Sequence, residues 1–208
     1  MQRLDACQQC TRLYAFRELQ KQRYPDYHCK PVPAFGETDA RLLIVGLAPG
    51  LHGANATGRP FTGDASGRTL FSTLVRFGFA NMSQSLSTND GMQLSNCRIT
   101  NAVKCLPPGN KPQNSEINQC NAYLKQEISL IKPGGVILAL GAIAHKAVLK
   151  ASGLQLNRHP FAHLCESRLA DKTHLIGSYH CSRYNINTKR LTQNMFDQVF
   201  ERIQQILR

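Results

Sequence analysis

The chain has 208 residues, 42% of them hydrophobic, and its 25 Lys and Arg against 13 Asp and Glu give a formal charge of +12 at pH 7. That length suits one domain, 1–208, with a real core. No apolar run approaches the roughly 18 residues of a membrane span, and the opening MQRLDACQQC lacks the apolar stretch of a signal peptide, so a cytoplasmic monomer with no membrane partner is expected. The positive excess is spread along the chain rather than gathered in a tail, which suits a folded groove for a polyanion; nucleic acid is the first partner to consider. Eight cysteines without an export signal argue against a disulfide scaffold and leave metal as the better use for some of them.

In chain order, Cys7 and Cys10 form a CxxC at the start of an expected helix, where residues three apart share a face. The run RLLIVGL (Arg41 to Leu47) reads as a buried strand and is followed by the glycine-rich GLAPGLHG. GRPFTGDASG (Gly58 to Gly67) then sets the aromatic Phe61 near the acid Asp64, with no phosphate-loop lysine, ahead of a helical stretch from Ser66 to Phe79. CRITNAV (Cys97 to Val103) is a second strand, with Asn101 near its end. Cys105 and Cys120 bracket LPPGNKPQNSEINQ, whose three prolines and glycine make a stiff excursion returning onto a helix, Asn114 to Ile131, stopped by Pro133. GGVILALG (Gly134 to Gly141) is a third strand, Ala142 to Ala151 a helix, and THLIGSY (Thr173 to Tyr179) a fourth strand leading into His180. The last segment, Thr192 to Leu207, carries a helical apolar stripe with Thr192 as N-cap.

Strands alternating with helices imply a parallel sheet covered on both faces. In such sheets ligands bind outside the carboxyl ends of the strands, and there Phe61, Asp64, Asn101 and His180 should meet although they lie far apart in the chain. Other readings of these residues remain open: Asp64 could cap the helix after it, Asn101 could satisfy a strand end, His180 could be an ordinary loop histidine and Phe61 plain core. Two cysteine pairs suit either zinc or an iron-sulfur cluster, and spacing does not choose.

Taken together, GLAPGLHGANATGRPFTGDASG, TNAVKCLPPGNKP and SYHCSRYNINTKRLT resemble the three signature blocks of the family 5 (UDGb) uracil-DNA glycosylases, and CQQC with KPVPAFGETDARLLIVGLAPG extends the likeness from Cys7 to the final helix. The resemblance implies a three-layer α/β/α sandwich with a central four-stranded parallel sheet. It also implies a [4Fe-4S] cluster on Cys7, Cys10, Cys105 and Cys120, and excision of uracil, with hypoxanthine and xanthine as further bases, from DNA in base excision repair. By motif matching, Asp64, Asn101 and His180 are the expected catalytic residues. Leu47, Ala48, Phe61, Asn101 and His180 are expected around the base. In SRYNINTKR, Arg183, Lys189 and Arg190 would meet phosphates, with Tyr184 or Ile186 as a wedge; His52 in GLHG is a further candidate contact to phosphate or substrate. Related branches carry an acid or amide directly after the first strand, where this chain has Leu47; that departure makes Asp64 the expected substitute. The rivals from other classes are a noncatalytic zinc-stabilised nucleic-acid-binding protein and an iron-sulfur electron carrier.

Overall fold

The structure, a computed structural model, describes residues 3–169 and 172–208. Its centre is a sheet of six strands in the order β1-β3-β2-β4-β6-β5, where β1 is Phe35–Gly36, β2 Leu42–Gly46, β3 Cys97–Asn101, β4 Val136–Leu140, β5 Glu166–Arg168 and β6 His174–Ser178. The four apolar runs read from the sequence form the parallel core β3-β2-β4-β6. The expected four-stranded sheet is therefore extended by two antiparallel edge strands, β1 on β3 and β5 on β6. These are two and three residues long, too short for any alternation of apolar and polar residues to mark them.

Strand residues point alternately to the two faces. Leu42, Ile44, Ile99, Leu138 and Ile176 meet the apolar sides of α3 (Ala65–Arg76) and α7 (Gln193–Leu207), in a core that includes Leu70, Phe71, Phe196 and Phe200. Leu43, Val45, Ile137, Ala139 and Leu175 face α4 (Asn114–Ser129) and α5 (Ala142–Ala151) on the other side. Three layers result. The cap expected at Thr192 is present, its side chain accepting from Met195 N at 3.2 Å. α1 (Thr11–Arg23) lies outside both layers and reaches α4 through Arg12, whose Nε and Nη2 donate to the two Glu116 oxygens at 2.7 and 2.8 Å.

The sheet determines where chemistry can occur. The chain leaves β2, passes to β3 on one side and then crosses to β4 on the other, so strand order reverses at β2 and opens a crevice at its carboxyl end. In register, Gly46 at that end stands opposite Asn101. Leu140 stands opposite Ser178, and Gly141 N donates to Ser178 O at 2.8 Å, which delivers His180 to the same edge.

Candidate active site

A cleft of about 640 Å³ opens at this edge, and Leu47, Ala48, Phe61, Asp64, Asn101 and His180 all line it. Four chain segments converge there. Gly46 makes the convergence possible: a Cβ on it would sit 2.4 Å from Asn101 Oδ1 and 2.7 Å from Phe61 Cζ, closer than any real methyl group tolerates. The Asn101 side chain is buried, and among the described residues its amide has no hydrogen-bond partner, leaving one donor group and one acceptor for a ligand. The Phe61 ring is buried too and lies nearly parallel to the His180 ring, 22° apart with centroids 6.1 Å distant.

Asp64 does two things at once. It is the N-cap of α3, with Oδ1 accepting from Gly67 N at 2.8 Å. Its Oδ2 faces the glycine turn, 2.7 Å from where a Gly53 Cβ would be and 3.9 Å from a Gly50 Cβ. Burial raises its carboxyl above the usual range, against the lowering pull of the Gly67 and Ser66 amides and of Arg68. Burial acts oppositely on His180, bringing its imidazole down to about 4, so the ring is neutral near pH 7. The cleft thus holds a half-buried carboxyl with a raised pKa and a neutral imidazole.

The Uracil DNA glycosylase superfamily model matches residues 33–204. A type-5 uracil-DNA glycosylase of Thermus thermophilus is 44% identical over 204 residues, spanning 96% of this chain and 93% of that protein. One of Pyrobaculum aerophilum is 40% identical, covering 96% and 88%. This chain belongs to the uracil DNA glycosylase superfamily, in its type-5 branch. Type-4 members match a smaller part: one from Pyrobaculum aerophilum is 38% identical over 61% of this chain and 57% of its own. Among solved structures, the crystal structure of WT Pedobacter heparinus SMUG2 superposes with a TM-score of 0.51 at 14% identity, over 81% of this chain and 76% of that one, a likeness of fold.

Within this family frame, the remaining expected residues divide. Arg183 opens the short helix α6 (Arg183–Asn187) and lines the cleft, while Tyr184 projects into solvent, 71% exposed. Ile186, the other expected wedge, is half-buried and packs against the core. Lys189 is exposed, and the Arg190 guanidinium lies 4.9 Å from the Tyr179 ring centre.

Cys7, Cys10, Cys105 and Cys120 line one small enclosed pocket between α1, α4 and the turn after β3. The first pair is not on a helix face as expected: Cys7 follows a 3-10 turn in extended conformation and Cys10 is the extended N-cap of α1. Among the described residues, no group of three His, Cys, Asp or Glu is arranged to hold one metal ion. Burial foremost pushes the Cys10 thiol up to about 11 and Cys105 up to about 12. The same pocket is lined by Arg17, whose buried Nε lacks a partner among the described residues, and by Lys104, whose backbone N donates to Cys120 Sγ at 3.4 Å. Ala48 touches both sites: it lines the cleft and packs against the cysteine cluster.

An anchor beneath the Phe61 to Asp64 loop was missed by sequence reasoning. Arg59 is buried, stacks 4.4 Å from the Phe35 ring centre, and pairs with Asp90 Oδ1 at 2.7 Å. Asp90 also accepts from Leu86 N at 2.8 Å, Met92 N at 3.0 Å and the Ser85 hydroxyl at 2.9 Å. Ser85 passes the restraint back through Thr62 Oγ1 at 2.8 Å and Gly63 N at 3.0 Å. The only signal in the sequence was an aspartate in a polar loop after STN, with nothing to pair it to an arginine 31 residues earlier.

Proposed function

We propose that this chain is a DNA glycosylase that hydrolyses the N-glycosidic bond of uracil in DNA and leaves an abasic site, in base excision repair. One observation carries the reading: a ring, a carboxylate, an amide and an imidazole from four distant segments share a nucleotide-sized cleft, in a chain 44% identical to a type-5 uracil-DNA glycosylase. A base must leave the duplex to be attacked, at a few kcal/mol of lost pairing and stacking. Stacking on Phe61 returns about 1–3 kcal/mol. Asn101 reads the O4 and N3 edge of uracil, and the backbone at Leu47 and Ala48 closes on the base. The slender Gly46 leaves space for that contact.

When the bond between N1 and C1′ breaks, its electron pair goes to the base and C1′ becomes cationic. The neutral His180 donates a hydrogen bond to O2 as that oxygen gains charge; a donor so aimed contributes about 3 kcal/mol. Asp64 faces the sugar through Oδ2, stabilising the cation or orienting the water that adds to C1′, and the proton that this water loses goes to the uracil anion, directly or through solvent. Hypoxanthine and xanthine present related edges to Asn101 and are proposed as further substrates. Arg183, Lys189 and Arg190 meet phosphates, and Tyr184 is the wedge.

We infer a [4Fe-4S] cluster on Cys7, Cys10, Cys105 and Cys120. Support comes from their shared pocket and the unpartnered Arg17 Nε as a countercharge. A cluster there would tie α1 to the turn after β3 and to α4, holding Ala48 at the cleft. The test is incubation with duplexes carrying one uracil, hypoxanthine, xanthine or thymine, then scission of abasic products. Cleavage at uracil and none at thymine is expected; no cleavage at any base removes the reading in favour of a binding protein. Colourless protein containing zinc would remove the cluster.

A further inference from the structure

One side chain at the mouth of the cleft, named from the sequence only as a candidate contact to phosphate or substrate, has surroundings that give it a definite task. His52 lines the cleft beside Gly53 and is exposed. Its Nδ1 lies 2.9 Å from the Tyr27 hydroxyl. Tyr27 stacks on Tyr24 with ring centres 4.7 Å apart and planes within 12°. Both rings meet the imidazole nearly at right angles, Tyr24 at 5.6 Å and Tyr27 at 5.9 Å. The turn bearing the tyrosines is fastened to the segment bearing the histidine: His28 N and Cys29 N donate to Ala56 O and Asn55 O, each at 3.0 Å. Lys21 Nζ closes the turn on Tyr27 O at 2.6 Å.

An exposed histidine is normally free to rotate, and a surface protein gains nothing by ordering it. Here two rings and a hydrogen bond hold it. With the tyrosine hydroxyl donating to Nδ1, the ring proton resides on Nε2, which has no partner among the described residues. A held N–H donor on an exposed ring that lines the cleft is available to a group at the rim. When a nucleotide inserts its base, the acceptors left at the rim are its flanking phosphates, the groups that take most protein–DNA hydrogen bonds.

We propose that His52, held by Tyr27, donates Nε2–H to a phosphate oxygen next to the extruded nucleotide, so that the turn after α1 belongs to the DNA-binding surface. His52 is then a positioning residue for the reaction and Tyr27 positions His52. The inference rests on the base-excision reading above, and wild-type cleavage of an unmodified uracil duplex reports on that reading alone.

The test compares wild type, His52→Ala, Tyr27→Phe and the double variant in single-turnover excision. Substrates are the uracil duplex and two versions with a methylphosphonate, lacking the anionic oxygen, at the 5′ or the 3′ flanking phosphate. His52→Ala should raise the half-saturating enzyme concentration about tenfold, the lower range for a hydrogen bond to a charged group, and act there rather than on the maximal rate. One methylphosphonate should weaken wild type by a similar factor and leave His52→Ala nearly unaffected. Tyr27→Phe keeps the ring contacts, so it should give a smaller shift in the same direction and none in the His52→Ala background. The proposal fails if His52→Ala saturates like wild type, if neither methylphosphonate effect depends on His52, or if the loss falls on the maximal rate.

Discussion

Replacing Asp64 by Asn separates its two tasks. An asparagine caps a helix as well as an aspartate does, so Oδ1 can still accept from Gly67 N at 2.8 Å, but the charge on Oδ2 is gone. Because burial raises the carboxyl in the folded state, ionised Asp64 costs stability at neutral pH, and that cost disappears as pH falls through the raised value. Asp64→Asn should therefore leave the Tm at pH 7 unchanged or slightly higher. Asp64→Ala removes the cap as well, for about 1 kcal/mol. In a chain of 208 residues that is a fall of about 2–4 °C. Excision should respond differently: loss of an acid acting at the reacting centre slows both variants by about 10²–10⁴ in single-turnover assays with a uracil duplex. The decisive comparison is the asparagine variant. Excision within threefold of wild type, with the cap intact, would show that Asp64 only starts a helix.

Gly46→Ala should slow excision at least about tenfold, because its methyl group would collide with Asn101 Oδ1 at 2.4 Å and Phe61 Cζ at 2.7 Å; an unimpaired variant would mean Gly46 does not shape the pocket. Arg59→Met leaves a mostly buried Asp90 unpaired, which costs about 3 kcal/mol and lowers the Tm by about 6–12 °C. Burial alone would raise the Asp90 carboxyl, but Arg59 and the loop amides hold it well below its usual range. Its stabilisation is thus full above an unfolded value of about 4 and lost as pH falls below that. Denaturant midpoints of wild type and Arg59→Met should converge in acid, and a constant gap would refute the linkage. With His180 near 4 and Asp64 raised, single-turnover excision should rise along an acid limb and stay flat from about pH 7 upward; a bell centred near neutrality would mean that His180 titrates there.

The parallel core of the fold was legible because its strands are short apolar runs cut off by Gly, Pro or polar residues, as in Gly134 to Gly141, and because α5 fills the interval Ala142–Ala151 read from the sequence. The convergence of Phe61, Asp64, Asn101 and His180 followed from topology, since each comes after or near the carboxyl end of a core strand. Contacts between irregular segments left no periodic trace. The edge strands, the Arg59 to Asp90 anchor and the Tyr27 to His52 bond all join loops whose partners are chosen by the folded backbone. The extended pair Cys7 and Cys10 was misread for a related reason: the helix signal of TRLYAFRELQ begins at Thr11, and a CxxC just before it looks like its first turn. Ile186 and Tyr184 were interchangeable wedges in sequence until α6 turned one to the core and the other to solvent.

The exterior and the cleft follow opposite electrostatic rules. The chain's formal net charge of +12 favours a polyanion at its surface, an attraction that salt weakens. Inside, burial moves Asp64 and His180 toward neutrality, the carboxyl upward and the imidazole downward. The pairing has a chemical use. A protonated His180 would share the cleft with ionised Asp64, and each charge would be partly spent on the other before any bond broke. On the proposed reading, a neutral imidazole would keep the carboxylate's field for the sugar, where positive charge develops, and still offer a polarised N–H to the departing base. The leaving uracil would on that reading need no proton from the protein, only a donor such as His180, which follows the carboxyl end of β6.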